Sequence, residues 1–459
     1  MRAATDTPLE LAGELLRPGD SAFDEARRIW NGSFDRRPAL IARCSGEADV
    51  AAALQHARAN DLAVAVRSGG HSVAGHSVCD GGIVIDLSPM RRVDVGASAR
   101  TARVQAGVLL GELDAAAQRF GLAAPAGVVS HTGVAGLTLG GGIGWLTRRF
   151  GATVDQLRSA RVVTADGRVV TASAHENPDL FWALRGGGGN FGIVTEFEFD
   201  LHPVGPTVLA GPVYYALEDG VDVLRRYREV VADAPDELTT ILQLRKAPPL
   251  PFLPETLHGT PVVAVGACWC GDAEAGERSV QPLRELATPL ADLLMPRPFV
   301  ELQQLNNGAV PHGWHYYWKS IETPPFSDAV IDTLVEHTAR ITSPRSYTII
   351  FHLGGALARV PEDATAYPQR DAAFNVNVNA VWLEDDPRED EHVRWTRDFY
   401  SALEPHAGGR VYVNFLGDEG QDRVRAAYGD AKYARLAELK RIWDPANVFR
   451  LNQNITPAT

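Results

Sequence analysis

The sequence predicts an α+β protein of two domains, and three observations carry that expectation. Residues 1–204 alternate short apolar runs with helix-compatible stretches. Residues 205–405 string β-branched and aromatic runs between helices and proline-rich loops, and Pro203 and Pro206 interrupt the pattern where the regions meet. The first region reads as a mixed α/β domain, 1–204. The second, 205–405, reads as an antiparallel sheet backed by helices, and a final segment, 406–459, follows it.

The elements follow in chain order. A helix is expected over 47–60, where alanine dominates, and a strand over 62–66. Asp80-Gly81-Gly82 marks a turn before a strand at 83–87. Thr164-Ala165-Asp166-Gly167-Arg168 marks a hairpin between Ala160–Val163 and Val169–Ala172. Helix Asp179–Leu184 and strand Ile193–Phe199 close the first region. In the second, strands are expected at 208–215, 239–244, 262–268, 347–353 and 375–382, with a proline-rich loop at 248–254. Residues 122–147 contain no Asp, Glu, Lys or Arg and hold the spacing Gly136-x-x-x-Gly140 of membrane helix pairs, but seven glycines and Pro125 would break any spanning helix. Such residues suit turns that bring backbone close to a ligand.

Composition removes several function classes. Asp and Glu number 57 against 44 Lys and Arg, a net charge of −13, so nucleic acid and anionic membranes are not expected partners. Four cysteines in 459 residues give no disulfide framework and suit a cytoplasmic protein. Cys268-Trp269-Cys270 lacks a second pair, so no metal is expected and a half-buried strand is the simpler reading. Asp6, Glu10 and Glu14 stand where a signal peptide needs apolar residues. No Gly-x-Ser-x-Gly or His-Glu-x-x-His element of a hydrolase occurs.

Chemistry concentrates in the glycine turns. Val66-Arg67-Ser68-Gly69-Gly70-His71-Ser72 ends the strand 62–66 in a turn whose free amides can face a pyrophosphate. An imidazole at its lip, His71, either caps backbone groups or attacks the C8 methyl of an isoalloxazine. Gly187-x-Gly189-x-x-Gly192 spells a dinucleotide fingerprint in reversed context, with a helix before it and a strand after, which argues against a Rossmann turn.

Further elements join these in order: Trp30-Asn31-Gly32, Asp80 to Leu87, Gly140-Gly141-Gly142-Ile143-Gly144, Asp179 to Ala183, Arg185 to Gly192, and Trp443-Asp444-Pro445-Ala446-Asn447-Val448-Phe449-Arg450. Together they resemble the FAD-linked oxidases of the vanillyl-alcohol oxidase superfamily, with the PCMH-type FAD-binding fold, and its berberine-bridge-like branch in particular. The resemblance implies covalent FAD on His71 and a C-terminal segment that returns to the first domain. It implies cofactor contacts from Arg67, Ser68, Gly69, Gly70, Ser72, His76, Val129, Ser130, His131, Thr132, Gly133, Gly136 and Leu137. It extends them to Gly141, Gly142, Gly144, Asn190, Gly192, Val194, Tyr412, Asn414, Asn452 and Asn454.

Many members add a second link from Cys in a Gly-x-Cys element. Here that element reads Gly127-Val128-Val129, so one histidyl bond is expected, with a lower flavin potential and a more open site. Thr132 falls at the family's oxygen gate, where it either hydrogen-bonds oxygen or simply packs as a β-branched residue. His312 to Trp318, Tyr317 among them, forms an aromatic run that either lines a substrate pocket or packs as a strand. His352 is a candidate proton acceptor or a core histidine. Thr365 to Arg370 matches a motif that usually has His at 369, where this chain has Gln. The expected activity is oxidation of a hydroxyl- or amine-bearing secondary metabolite by dioxygen. The alternatives are oxygen transfer from a flavin N5-oxide in polyketide tailoring, or non-catalytic binding of flavin or a metabolite.

Overall fold

The computed structural model describes residues 9–249, 253–368 and 370–459. Position 369 of the Thr365–Arg370 motif lies outside the described residues. Two sheets occupy the first region. In the smaller, Glu14–Leu16, Leu40–Arg43, Ile83–Asp86 and Val64–Arg67 lie side by side, with parallel pairing on both sides of Ile83–Asp86. The larger is antiparallel, in the order Val93–Gly96, Thr101–Gln105, Ile193–Asp200, Leu157–Val163, Val169–Ser173. Its Leu157–Val163 and Val169–Ser173 strands form the expected hairpin. The turn closes through Gly167 N–H to the Thr164 carbonyl (2.8 Å), with Gly167 at φ +86°, where a Cβ would be strained. Helix Glu47–Ala59 agrees with expectation to a residue. Within the glycine-rich 122–147 stretch the helix Val134–Leu139 is six residues long, and no described helix is long and apolar enough to cross a membrane.

An antiparallel sheet of eight strands dominates the second region. Along its path run Ala291–Asp292, Thr207–Ala216, Pro261–Trp269, Leu238–Lys246, Tyr347–His352, Phe374–Trp382 and His315–Thr323, while Met295–Pro298 pairs off Thr207–Ala216. The 312–318 aromatic run thus becomes an edge strand, with His312 and Gly313 in the approach to it. Side chains alternate across these strands. Leu242, Leu244, Ile350, Val376 and Val378 pack against Tyr227, Leu283, Leu334 and Phe399 of the four helices Gly220–Ala232, Ala273–Arg284, Asp328–Ala339 and Glu389–Leu403. Their neighbours Ile241, Tyr347, Ile349 and Phe351 turn the other way and pack on Trp30, Ile143, Trp145 and Tyr412. Each such side chain contributes about 1.5–3 kcal/mol on burial, and a one-residue slip would exchange the two faces.

The last segment joins the core of the first region through Val411, Val413, Leu416, Leu436, Phe449 and Ile455. Its Asp444 accepts from the amides of Val448 (2.8 Å) and Phe449 (2.9 Å). It also holds Lys440, whose buried ammonium reaches the Asn190 carbonyl at 2.8 Å, so the Trp443–Arg450 element serves anchoring.

One buried acid gives a pH-dependent prediction. Glu322, 3% exposed and with Oε2 lacking a partner, is pushed up to about 8 by burial. Between its ordinary value of 4.5 and about 8 the unfolded chain has lost this proton while the folded chain keeps it, so stability falls as pH rises through that window. The expected loss is about 1.4 kcal/mol per pH unit at most. Urea unfolding at pH 5 and pH 9 will show a smaller difference for Glu322→Gln than for the wild type.

Candidate active site

A long cleft runs between the first region and the inner face of the large sheet. His71 lines it and is held from two sides. Its ring stacks on Trp30 at 4.6 Å and 17°, and Trp30 in turn stacks on Tyr316 at 3.8 Å. Trp30 Nε1 donates to the Val310 carbonyl (2.9 Å). Asn31 Nδ2 donates to the carbonyls of Val73 and Tyr316, so Trp30-Asn31-Gly32 ties the glycine loop to the sheet. On the other side His71 Nε2 lies 2.7 Å from His131 Nδ1, and Nδ1 of His71 has no hydrogen-bond partner among the described residues. Burial first, then the neighbouring His131 and His312, hold the His71 imidazole well below its ordinary pKa, so it is neutral, and in the tautomer whose Nε2–H donates to His131 the Nδ1 atom keeps its lone pair. Nitrogens of His71, His131 and His312 lie within 4.8 Å of one another, the only such group of three potential metal ligands among the described residues.

The cleft gathers most of the expected contacts. Ser68, Gly69, Gly70, His71, Ser72, His76, Val129, Thr132, Gly133, Gly136 and Leu137 line it, with Asn190, Gly192, Val194, Tyr412, Asn414 and Asn452. The Thr132 hydroxyl has no partner among the described residues, while its backbone is pinned between Val129 and Leu110.

Other expected contacts stand outside the lining. Arg67 turns back into the fold, where Nη2 meets Asp86 at 2.6 Å and Nη1 reaches the Ala26 carbonyl; it braces the loop rather than facing the cleft. Gly141, Gly142 and Gly144 allow close packing: a Cβ there would strike Tyr367, Thr153 and the Ala126 carbonyl. Ser130 is engaged with Asn307, and His131 acts beside His71. Asn454 lies beyond the lining, with Oδ1 buried and unpartnered.

Two catalytic expectations meet the pleat of the sheet. His352 alternates with Phe351 and points to the helix side, against Arg148 Nη1 (3.1 Å), Thr240 Oγ1 (3.3 Å) and the Phe374 ring, outside the cleft lining. Burial lowers it to about 3, so it is a neutral core histidine. Tyr317 likewise turns to the helix side, where its hydroxyl accepts from Arg397 Nε at 3.0 Å; Trp318, one residue on, takes the cleft. The cleft wall on the sheet is instead Trp318, Tyr347, Ile349, Phe351, Asn377 and Asn379. The alternation Asn375-Val376-Asn377-Val378-Asn379 was the available signal for the last two. Both Asn377 and Asn379 are buried with Oδ1 unpartnered among the described residues, and Asn379 Nδ2 donates to the Asn377 carbonyl at 2.7 Å, which fixes its amide orientation. Among the described residues no Asp, Glu, Lys, Arg or Cys lines the cleft.

Comparison with known proteins agrees with this geometry. A profile for the FAD binding domain matches residues 38–173, and one described as berberine and berberine like matches 411–456. The chain is 34% identical to the (R)-6-hydroxynicotine oxidase of Paenarthrobacter nicotinovorans, over all of this chain and 99% of that protein. It is 31% identical to an uncharacterized FAD-linked oxidoreductase of Bacillus subtilis over 98% of each. The crystal structure of 6-hydroxy-D-nicotine oxidase from Arthrobacter nicotinovorans superposes with a TM-score of 0.90 at 31% identity, covering 99% of this chain and 100% of that one. This chain belongs to the berberine-like family of FAD-linked oxidoreductases.

The residues present fit the cofactor of that family. The amides of Gly69, Gly70, His71 and Ser72 find no acceptor among the described residues, so a diphosphate in a cleft without cations would be met by backbone donors. Added Cβ atoms at Gly136, Gly188 and Gly189 would meet nothing closer than 3.7 Å, so these glycines leave open space that a ligand can fill. Asn452 Oδ1, buried and unpartnered, adds an acceptor.

Proposed function

We propose that the protein is an oxidase joined to FAD by a single bond through Nδ1 of His71, acting on an aromatic metabolite that bears a hydroxyl or amine and using dioxygen as acceptor. The observation that carries the substrate class is the pair of buried, unpartnered Oδ1 atoms of Asn377 and Asn379 in a wall otherwise made of Trp318, Tyr347, Ile349 and Phe351. Buried acceptors call for donors, and a hydroxyl or amine supplies them. The single link is supported by the cysteines: Cys44, Cys79, Cys268 and Cys270 are buried and none lines the cleft, while Val129 does. A reducing, cytoplasmic setting suits four free thiols.

A bound flavin supplies the hydride acceptor and returns the electrons to oxygen. The protein's part is orientation. Trp318, Tyr347 and Phe351 exclude water and stack the substrate body, and the two asparagines aim its donor group. Tyr412 accepts from Gly142 N and Asn414 Nδ2, both at 2.7 Å, and burial raises its pKa, so it stays a neutral phenol free to donate. Tyr347 is also kept neutral by burial, and His76 is lowered to about 4. The titratable side chains that line the cleft among the described residues, His71, His76, Tyr347 and Tyr412, are thus all held neutral by burial at neutral pH, and the substrate's proton leaves without a charged side chain as acceptor. Thr132, with its free hydroxyl, is the side chain proposed for the oxygen approach.

The asparagine pair gives the test. Asn377→Leu and Asn379→Leu are expected to lower kcat/KM by ~10–100-fold each, since an orphaned substrate donor costs about 1–3 kcal/mol, with flavin content unchanged. Stoichiometric peroxide should accompany product. Unchanged kcat/KM in both variants would remove the asparagines from the site, and label from dioxygen in the product would make the reaction oxygen transfer.

A further inference from the structure

A second cavity of about 310 Å³ opens on the same face of the sheet, two strands over from Phe374–Trp382. Its floor is Ile241, Ala264 and Gly266, roofed by Trp145 and Leu305. Into it come two guanidinium groups, Arg245 and Arg297, and among the described residues no Asp or Glu lines it, in a chain whose acids outnumber its bases by 57 to 44.

Arg245 is the unusual one. It is 5% exposed and forms no salt bridge among the described residues. Its recorded bonds are Nη1 to Gln243 Oε1 at 3.2 Å and a long Nε contact to the Lys246 carbonyl at 3.3 Å, and its plane lies 5.2 Å from the Tyr347 ring. A buried guanidinium with most of its donors unspent among the described residues is costly unless an anion completes it. Arg297 differs in being tied to the carbonyls of Ala210 (2.8 Å) and Leu293 (2.7 Å). Tyr347 lines the flavin cleft and touches Arg245, so the two cavities are neighbours across one side chain.

We propose that this cavity binds an organic carboxylate, with the Arg245 guanidinium as its counter-ion, Arg297 as the second cation of the wall, and the apolar floor taking the hydrocarbon body. The carboxylate belongs either to the far end of the oxidised substrate or to a separate small acid. Binding itself does not depend on the flavin reading, because none of the cavity's walls is a cofactor contact.

Benzoate and its neutral counterpart benzamide, titrated calorimetrically into the flavin-loaded protein at pH 7.5 and low salt, test it. Benzoate is expected to bind at least tenfold more tightly than benzamide, and Arg245→Gln to abolish that preference with the flavin spectrum unchanged. Equal affinity for the two compounds, or a preference that survives in Arg245→Gln, would overturn the proposal. Should that variant fail to fold, the wild-type contrast and its tenfold weakening in Arg297→Gln decide the matter. Elongated aromatic acids separate the sources. A visible flavin shift with 4-phenylbutyrate that disappears in Arg245→Gln assigns the carboxylate to the substrate; calorimetric binding without any shift assigns it to a separate acid.

Discussion

In a His71→Ala variant, flavin is expected to leave entirely with the supernatant on acid precipitation, while the native variant still takes up FAD. The reason is geometric. His71 Nδ1 is the free nitrogen of a neutral imidazole clamped between Trp30 and His131, and alanine removes the attachment point without disturbing the glycine cradle. Trp30 keeps its stack on Tyr316 and its bond to the Val310 carbonyl, so the fold should persist. The proposed histidyl link would also raise the flavin potential, and for a two-electron couple each ~30 mV lost is about tenfold in the equilibrium for reduction. Substrate reduction of the flavin in the variant, followed anaerobically, should therefore be slower by about tenfold or more. A His71→Ala variant that still retains flavin after precipitation would refute the linkage.

Gly136→Leu should separate cofactor binding from folding. Gly136 lies within helix Val134–Leu139, lines the cleft, and a Cβ built there meets nothing within 4 Å. Leucine suits a helix better than glycine by roughly 0.8 kcal/mol, so the apoprotein should unfold at equal or slightly higher denaturant concentration. The same side chain would fill space the flavin needs, and the purified variant should be colourless and inactive. By contrast, Gly69→Ala should fail in both respects, because its Cβ would collide with the Gly133 backbone. A yellow, active Gly136→Leu protein would mean that the cofactor lies elsewhere.

The outline of this fold was legible because strand and helix periodicities are local. Strands at 208–215 and 262–268 appear within a residue or so of their expected ends, and the reversed context of Gly187–Gly192 is borne out by helix Pro178–Leu184 before it and strand Ile193–Asp200 after it. What was not legible is which face of a strand meets the cofactor. Every residue of Phe374–Trp382 is buried, and so is every residue of Tyr347–His352, because helices cover one face and the flavin domain the other. Apolar alternation is then weak, and choosing His352 over Phe351, or Tyr317 over Trp318, amounts to a guess about parity. The asparagine alternation in 375–379 was visible, but it marks a substrate wall only once the sheet is known to close the cleft. Glycines posed the same difficulty. Gly136 and Gly141 look alike in sequence, yet one leaves space for a ligand and the other for the Tyr367 ring.

The most direct test of the central claim is the absorption spectrum of the purified wild-type protein before and after acid precipitation. A yellow pellet, with the flavin recovered on the peptide that contains His71, is the predicted result. A colourless pellet under a yellow supernatant would contradict the histidyl bond, and a preparation that is colourless throughout and takes up no added FAD would contradict the flavin site itself.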